Sequence, residues 1–364
     1  MMSSDKNKID FFGLDLKEFK EILKQREVKS FRAEQIFNWV YKNGIFTIDE
    51  MKNIPKKLKN ELKDDLKTNN LKLLGKSEAK DGTIKYLWEL NDGNSIESVY
   101  LPYYEEGRHS VCISTQVGCN MGCSFCATGL GGLERNLRVS EIVAQVMKIQ
   151  EDISKENFLD PAITNVVFMG MGEPMKNLDN VLKAVNLLNT ESTLNIGMRK
   201  MTISTAGVVP GIKELAVRNK QIGLAVSLNA PNDSLRNEIM PINKKYNIDK
   251  LLKSVKEYIE ISNRRVSFEY VLMKDINDAP QYAYQLRRLV SDLLCHINLI
   301  PVNPVPELNI HRPDESVINE FKDILIQGGI DTTLRQERGV EIEAACGQLK
   351  RERGKKDGVW IFYK

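Results

Sequence analysis

The sequence predicts an α/β protein: a partial (β/α)6 TIM-like barrel of parallel strands, with an N-terminal helical accessory domain and a short β extension. Two observations carry this. Beyond about residue 105, six apolar strand-like runs alternate with amphipathic helical stretches, the pattern of a parallel sheet with right-handed crossovers. The unusual motifs follow those strands, where barrels carry their chemistry. A flat doubly wound sheet shares the alternation; a partial barrel fits better. The chain has 364 residues, 42% hydrophobic and 28% charged. That is enough for one large core plus a smaller domain, and too apolar for a disordered chain.

Residues 1–72 read as helical. Phe19, Ile22 and Leu23 lie at helical spacing, and Ile36, Phe37, Trp39, Val40 and Tyr41 form a dense second segment. Leu58, Leu62 and Leu66 recur every four residues beside Lys56, Lys57, Lys59 and Lys63. That segment reads as a solvated amphipathic helix or as one facing phosphates. This region holds 16 basic against 12 acidic side chains, and residues 348–364 hold 6 against 2, so the net charge of +3 sits at the two ends.

Thr83–Leu90 and Ser95–Leu101 flank Asn91-Asp92-Gly93-Asn94, a hairpin turn, giving a β extension over 73–104. The core spans 105–340. Its strands are His109–Thr115, Asn165–Met169, Lys200–Thr205, Gly223–Ser227, Val266–Leu272 and His296–Val302. Ile142, Val146, Ile149 and Ile153 make one helical stripe; Leu251, Leu252, Val255, Tyr258 and Ile259 make another. Residues 341–364 form a C-terminal segment with a basic tail. No run approaches the roughly 18 apolar residues of a membrane span. The polar start is not a secretory signal. A soluble, cytoplasmic protein is expected.

Six cysteines are present, three of them in Cys119-Asn120-Met121-Gly122-Cys123-Ser124-Phe125-Cys126. Three thiols on one tight loop after the first barrel strand suit an iron–sulfur cluster, whose irons take thiolate ligands. A structural zinc site would want a fourth ligand nearby. Gly118 and Gly122 let the backbone wrap such a group. Phe168-Met169-Gly170-Met171-Gly172-Glu173-Pro174 ends a buried strand; its glycines permit close approach to a ligand, or a plain strand-to-helix turn. Cys112, Cys295 and Cys346, taken alone, are ordinary buried thiols.

Six stretches together are more specific. They are Gly118–Gly129, Phe168–Pro174, Ser204–Pro210, Ser227–Asp233, Met240–Tyr246 and Ala344–Leu349. In this order they resemble the bacterial dual-specificity ribosomal RNA adenine-C2 methyltransferases, of the radical S-adenosylmethionine superfamily. The resemblance implies one [4Fe-4S] cluster on Cys119, Cys123 and Cys126, with an open iron for S-adenosylmethionine. It assigns Gly172, Glu173, Ser204, Ser227, Leu228, Asn229 and Asn303 to that cofactor. Asn229 stands where the pattern has histidine, and keeps a donor and an acceptor.

The implied reaction consumes two S-adenosylmethionines per turnover, because adenine C2 is no nucleophile toward a sulfonium. One methylates Cys346. The other is cleaved to a radical that activates the Cys346 methyl group for addition to C2. Glu97 takes the C2 proton, and Cys112 releases the product through a transient disulfide with Cys346. Both thiols must attack as thiolates, so a depressed pKa or a nearby base is expected. The implied partners are 23S rRNA, transfer RNA and an electron donor such as flavodoxin or ferredoxin, with a monomeric protein and no membrane. Phosphate contacts are expected from Arg32, Lys56, Lys57, Lys59, Lys63, Arg135, Arg138 and the tail Lys350, Arg351, Arg353, Lys355 and Lys356. Two alternatives are a related radical C8-adenine methyltransferase and a non-enzymatic, metal-stabilised RNA-binding protein.

Overall fold

The structure is a computed structural model. It describes residues 8–68, 71–155, 157–219, 221–303, 305, 307–349, 352–356 and 359–362, the last two segments as backbone only. Leu71–Glu78 (β1), Ile84–Leu90 (β2), Ser95–Tyr103 (β3) and Arg108–Cys112 (β4) form an antiparallel meander. From β4 onward the pairing is parallel, through Asn165–Phe168 (β5), Met201–Thr205 (β6), Gly223–Ser227 (β7), Val266–Leu272 (β8), Cys295–Pro301 (β9) and Thr332–Leu334 (β10). All ten strands make one sheet in which every strand lies beside its sequence neighbour, with β1 and β10 at the edges.

Helices Leu16–Lys24 (α1), Phe31–Tyr41 (α2) and Lys56–Leu62 (α3) precede the sheet. The crossovers are Val139–Ile153 (α4), Leu178–Asn189 (α5), Val209–Arg218 (α6), Asp233–Ile239 (α7) with Ile248–Ser262 (α8), Pro280–Val290 (α9) and Glu315–Gln327 (α10).

Strand β8 shows how sequence becomes layer. Val266, Phe268, Tyr270 and Leu272 are fully buried on one face. Glu269 and Val271, on the other face, line the central cavity, as a period of two requires. The expected stripe of α4 is buried at Ile142, Val146 and Ile149. Asn91–Asn94 closes the β2–β3 hairpin, with Leu90 N–H donating to Asn94 O at 2.8 Å.

The structure departs from the sequence reading at three places. A seventh parallel strand, β10, follows the expected six; its three residues are too few to show a pattern. Leu66 is not helical. It leaves α3 and, with Lys67, pairs in parallel with Ile9–Asp10. The antiparallel strands of the extension continue the barrel sheet and begin at Leu71.

The N-terminal helices are packed onto the barrel. Phe11, Phe12, Phe19, Phe37 and Tyr41 are buried, with Phe11 centred 4.9 Å from Phe37 and 5.2 Å from Phe19. Each such ring contributes about 2 kcal/mol by burial. They belong to one apolar core with the barrel strands. Lys183 pairs with Glu18 at 2.7 Å, tying α5 to α1. Among the described residues no helix is long and apolar enough to cross a membrane.

Candidate active site

The loop after β4 is shaped by a small hairpin. Gln116–Gly118 pairs antiparallel with Leu133–Asn136. Gly118 has φ +74, and a Cβ there would lie 1.9 Å from Gly132 O, so only glycine fits. Between the two strands, Cys119, Cys123 and Cys126 line one cavity of about 920 Å³. Its other walls are the C-terminal ends of β5 to β10, through Gly172, Ser204, Ser227, Glu269, Asn303 and Arg335. The loop is anchored by Ser124 N–H to Ile239 O at 3.0 Å and Ala127 N–H to Gly347 O at 2.8 Å.

Burial pushes the Cys119 thiol up to about 12, and raises Cys123 and Cys126 as well. The charges of neighbouring thiols add to the rise at all three. Buried thiols that cost this much to ionise alone suit a cationic group that draws them to thiolates. Three thiols lining one wide cavity are the donor set that an iron–sulfur cluster takes.

The cofactor residues expected from the sequence divide into two groups. Gly172, Glu173, Ser204, Ser227 and Asn303 line the same cavity as the cysteines. Glu173 is 2% exposed. Its carboxylate accepts from Ala206 N at 2.7 Å and Met175 N at 3.1 Å. Burial raises its pKa, and these amide bonds oppose the rise. Asn303 donates from Nδ2 to Cys346 O at 3.2 Å, while its Oδ1 is buried without a partner. An orphaned buried acceptor in such a cavity fits a bound polar ligand.

Leu228 and Asn229 are not cavity walls. Both are fully buried. Asn229 sits at φ +58, accepts from Val271 N at 2.8 Å and donates to Met240 Sδ at 3.2 Å. Its side chain ties β7 to β8. The glycine expectation also changes. A Cβ at Gly172 would lie 2.5 Å from Gln116 Cβ, and one at Gly170 would lie 2.7 Å from Ile113 C. These glycines admit the neighbouring chain segment, not a ligand.

Cys346 opens onto a second cavity of about 700 Å³, which it shares with Cys112. The two cavities have common walls at Cys126, Gly170, Asn303, Arg335 and Cys346. Burial, reinforced by the charge of Cys346, pushes the Cys112 thiol up to about 12, and Arg335 pulls against the rise; of the two expectations, a depressed pKa is not what this thiol has, which leaves the nearby base. Cys295 lies apart on β9, its thiol directed to Val290 O.

Glu97 borders neither cavity. It is 1% exposed on β3 and pairs with Lys85 Nζ at 3.2 Å. In the β3–β4 ladder its strand neighbour Val99 stands opposite Cys112.

Sequence reasoning missed Glu269 and Arg335. Glu269, the one charged residue of β8, is buried, accepts from Asn298 Nδ2 at 3.0 Å, and lies 3.9 Å from Arg335 Nη1. A lone carboxylate in Val266–Leu272 was the available signal. Arg335 had none, because tertiary structure alone brings it to the cysteines.

The basic residues divide as well. Arg135 forks onto the buried Glu141 at 2.8 and 3.0 Å and also holds Asp92. Arg138 bonds Glu141 at 2.9 Å. Both are engaged within the protein. Arg32 donates to Gln35 Oε1 and Asn53 O, Lys59 to Asp49 O, and Lys63 pairs with Asp49. Lys56 and Lys57 are exposed on α3. Lys350 and Arg351 lie outside the described residues, as do the side chains of Arg353, Lys355 and Lys356.

Residues 113–286 match the Radical SAM superfamily, and residues 9–67 match the ribosomal RNA large subunit methyltransferase N-terminal domain. A probable dual-specificity RNA methyltransferase RlmN of Clostridium novyi is 46% identical over 343 residues, 94% of this chain and 98% of the relative. One of Alkaliphilus oremlandii is 47% identical over 346 residues, 95% of this chain and 98% of the relative. A crystal structure of a radical SAM methyltransferase from Sphaerobacter thermophilus superposes with a TM-score of 0.89 at 43% identity, covering 93% of this chain and 98% of that one.

Proposed function

The chain belongs to the dual-specificity RNA methyltransferase family of the radical SAM superfamily, and from that premise we propose that it methylates C2 of adenine in 23S rRNA and in transfer RNA. The observation that carries this reading is the position of Cys346. It lines both the cavity of the three-cysteine loop and the cavity of Cys112, so a methyl group on its sulfur can face cofactor and substrate in turn.

A [4Fe-4S] cluster on Cys119, Cys123 and Cys126 supplies, when bound, the electron that cleaves S-adenosylmethionine. The chain's own residues do the rest. Glu173 presents a carboxylate fixed by two backbone amides to the methionyl end of the cofactor. Asn303 offers Oδ1 to the same molecule and steadies the Cys346 segment through Nδ2. Cys346 accepts and carries the methyl group. Addition of the Cys346-borne carbon radical leaves one unpaired electron on the base; that electron leaves to an external one-electron carrier of the flavodoxin or ferredoxin class as Glu97, paired with Lys85, takes the C2 proton, and the aromatic ring is restored. A Cys112 thiolate then attacks Cys346 Sγ. The sulfur–sulfur bond forms, the bond from Cys346 to the transferred carbon breaks, and that carbon keeps the electron pair and is protonated to methyl.

Residues 1–72 serve RNA recognition, 73–104 extend the barrel at 105–340, and 341–364 deliver Cys346. The target base leaves its stack to reach the cavity. Flavodoxin or ferredoxin is the class of electron donor. The test is anaerobic turnover on a 23S rRNA fragment and a transfer RNA, with mass spectrometry of the nucleosides. 2-Methyladenosine is expected. 8-Methyladenosine would assign the other ring position, and no 5′-deoxyadenosine would overturn the reaction class.

A further inference from the structure

Arg236 on α7 is fully buried. Its guanidinium donates to four acceptors: Leu228 O at 3.0 Å, Asn243 Oδ1 at 2.9 Å, Ala206 O at 2.8 Å and Ser227 O at 3.0 Å. All four are uncharged. Asp233 is reached only through Asn243, whose Nδ2 donates to Asp233 Oδ1 at 2.8 Å. Asp233 Oδ1 also accepts from Ile248 N at 2.9 Å. A cation buried against neutral acceptors is costly. Carbonyls alone would be served by a neutral amide, so the charge needs a counterpart.

The counterpart lies at the C-terminal end of α7, one turn from Arg236. Ser124 N–H of the three-cysteine loop donates to Ile239 O, at the end of this helix. Cys123 packs against a small apolar cluster that includes Leu235, Ile239 and Met240. The guanidinium bonds the ends of β6 and β7, whose Ser204 and Ser227 line the cofactor cavity. Its charge therefore lies behind the wall of that cavity, on the backbone of Ala206 and Ser227, across from the three cysteines that line it.

We propose that Arg236 is the buried counter-charge of the iron–sulfur site, offsetting the thiolates of Cys119, Cys123 and Cys126 and favouring the reduced cluster. The inference rests on the reading of that loop as a cluster site. Reduction adds one electron, and hence one negative charge, from the external donor; Arg236 exchanges neither electron nor proton. Its fixed charge acts without solvent reorganisation in a site of low dielectric. Asp233, behind Asn243 and two hydrogen bonds away, partly cancels it.

The test is an anaerobic redox titration of the reconstituted holoenzyme, followed by electron paramagnetic resonance. Arg236→Gln keeps donors but removes the charge. It is expected to lower the reduced-to-oxidised ratio at fixed poise roughly tenfold, about 59 mV for one electron. Arg236→Lys loses the fork yet keeps the charge, and should stay near the parent potential. Asp233→Asn removes the opposing charge and should shift the potential upward. A loaded Arg236→Gln protein with the parent potential overturns the proposal. If that variant does not load, an unshifted Asp233→Asn protein overturns it, and an upward shift sustains it. Iron and sulfide analysis of the parent protein tests the cluster reading separately: a parent without them refutes that reading before any variant is titrated.

Discussion

Asn303 links two parts of the chemistry through one amide. Nδ2 holds the Cys346 carbonyl, and Oδ1 faces the cavity without a protein partner. Asn303→Ala is expected to weaken S-adenosylmethionine binding about tenfold, the equivalent of about 1.4 kcal/mol for one hydrogen bond in a buried site. Equilibrium binding under nitrogen measures this, and unchanged affinity would remove Asn303 from the cofactor site. The two thiols separate by phenotype. Cys346→Ala should abolish methylation while iron content stays at the parent level. Cys112→Ala should accumulate RNA-linked protein, visible on a denaturing gel; a clean gel would deny Cys112 its releasing role.

At the start of α4, Glu141 is buried beneath Arg135 and Arg138. Burial alone would raise its pKa. The Arg135 fork and the Arg138 backbone and side-chain donors overcome burial and hold the carboxyl below its ordinary 4.5. A depressed carboxyl contributes stability that is complete above pH 4.5 and lost as pH falls through the native value. Glu141→Gln should cost about 3 kcal/mol at neutral pH and flatten the acid limb of stability. Denaturant melts at pH 7 and pH 4 check both effects.

Gly172→Ala meets Gln116 from φ +102 and should destabilise by about 2 kcal/mol; calorimetry decides. Much at this scale was legible in the sequence. β5 to β9 announce themselves as apolar runs between helical stripes, and the three-cysteine spacing announces its loop. β10 was not legible, since Thr332–Leu334 carries no periodicity. Nor was Arg335, which reaches the cavity wall only because separate strands end there, nor Arg236, whose four acceptors come from three separate segments; Glu269 showed only as the lone carboxylate of its strand. Asn229 misled because its place in a motif does not record that a left-handed backbone turns its side chain into the β7–β8 seam.

The N-terminal helices share their core with the barrel strands, so removing residues 1–72 would bare barrel side chains such as Phe158, which packs on Phe46, and confound any RNA measurement. Charge reversal at Lys56 and Lys57 is the cleaner probe of that region. It should weaken RNA binding and reduce the steepness of log K against log salt by about 1.5, with iron content unchanged; an unaltered slope would place the phosphate contacts elsewhere. The strand order has a consequence for biogenesis. Each strand pairs with its predecessor in the chain, so the sheet can assemble in the order of translation. The segment around Cys346 must reach back to the loop, where Thr128 Oγ1 holds Leu349 O across 221 residues of sequence. The proposed methyl acceptor is therefore placed only after the barrel strands have paired. A nascent polypeptide stalled before residue 346 can display a finished barrel and still be chemically inert.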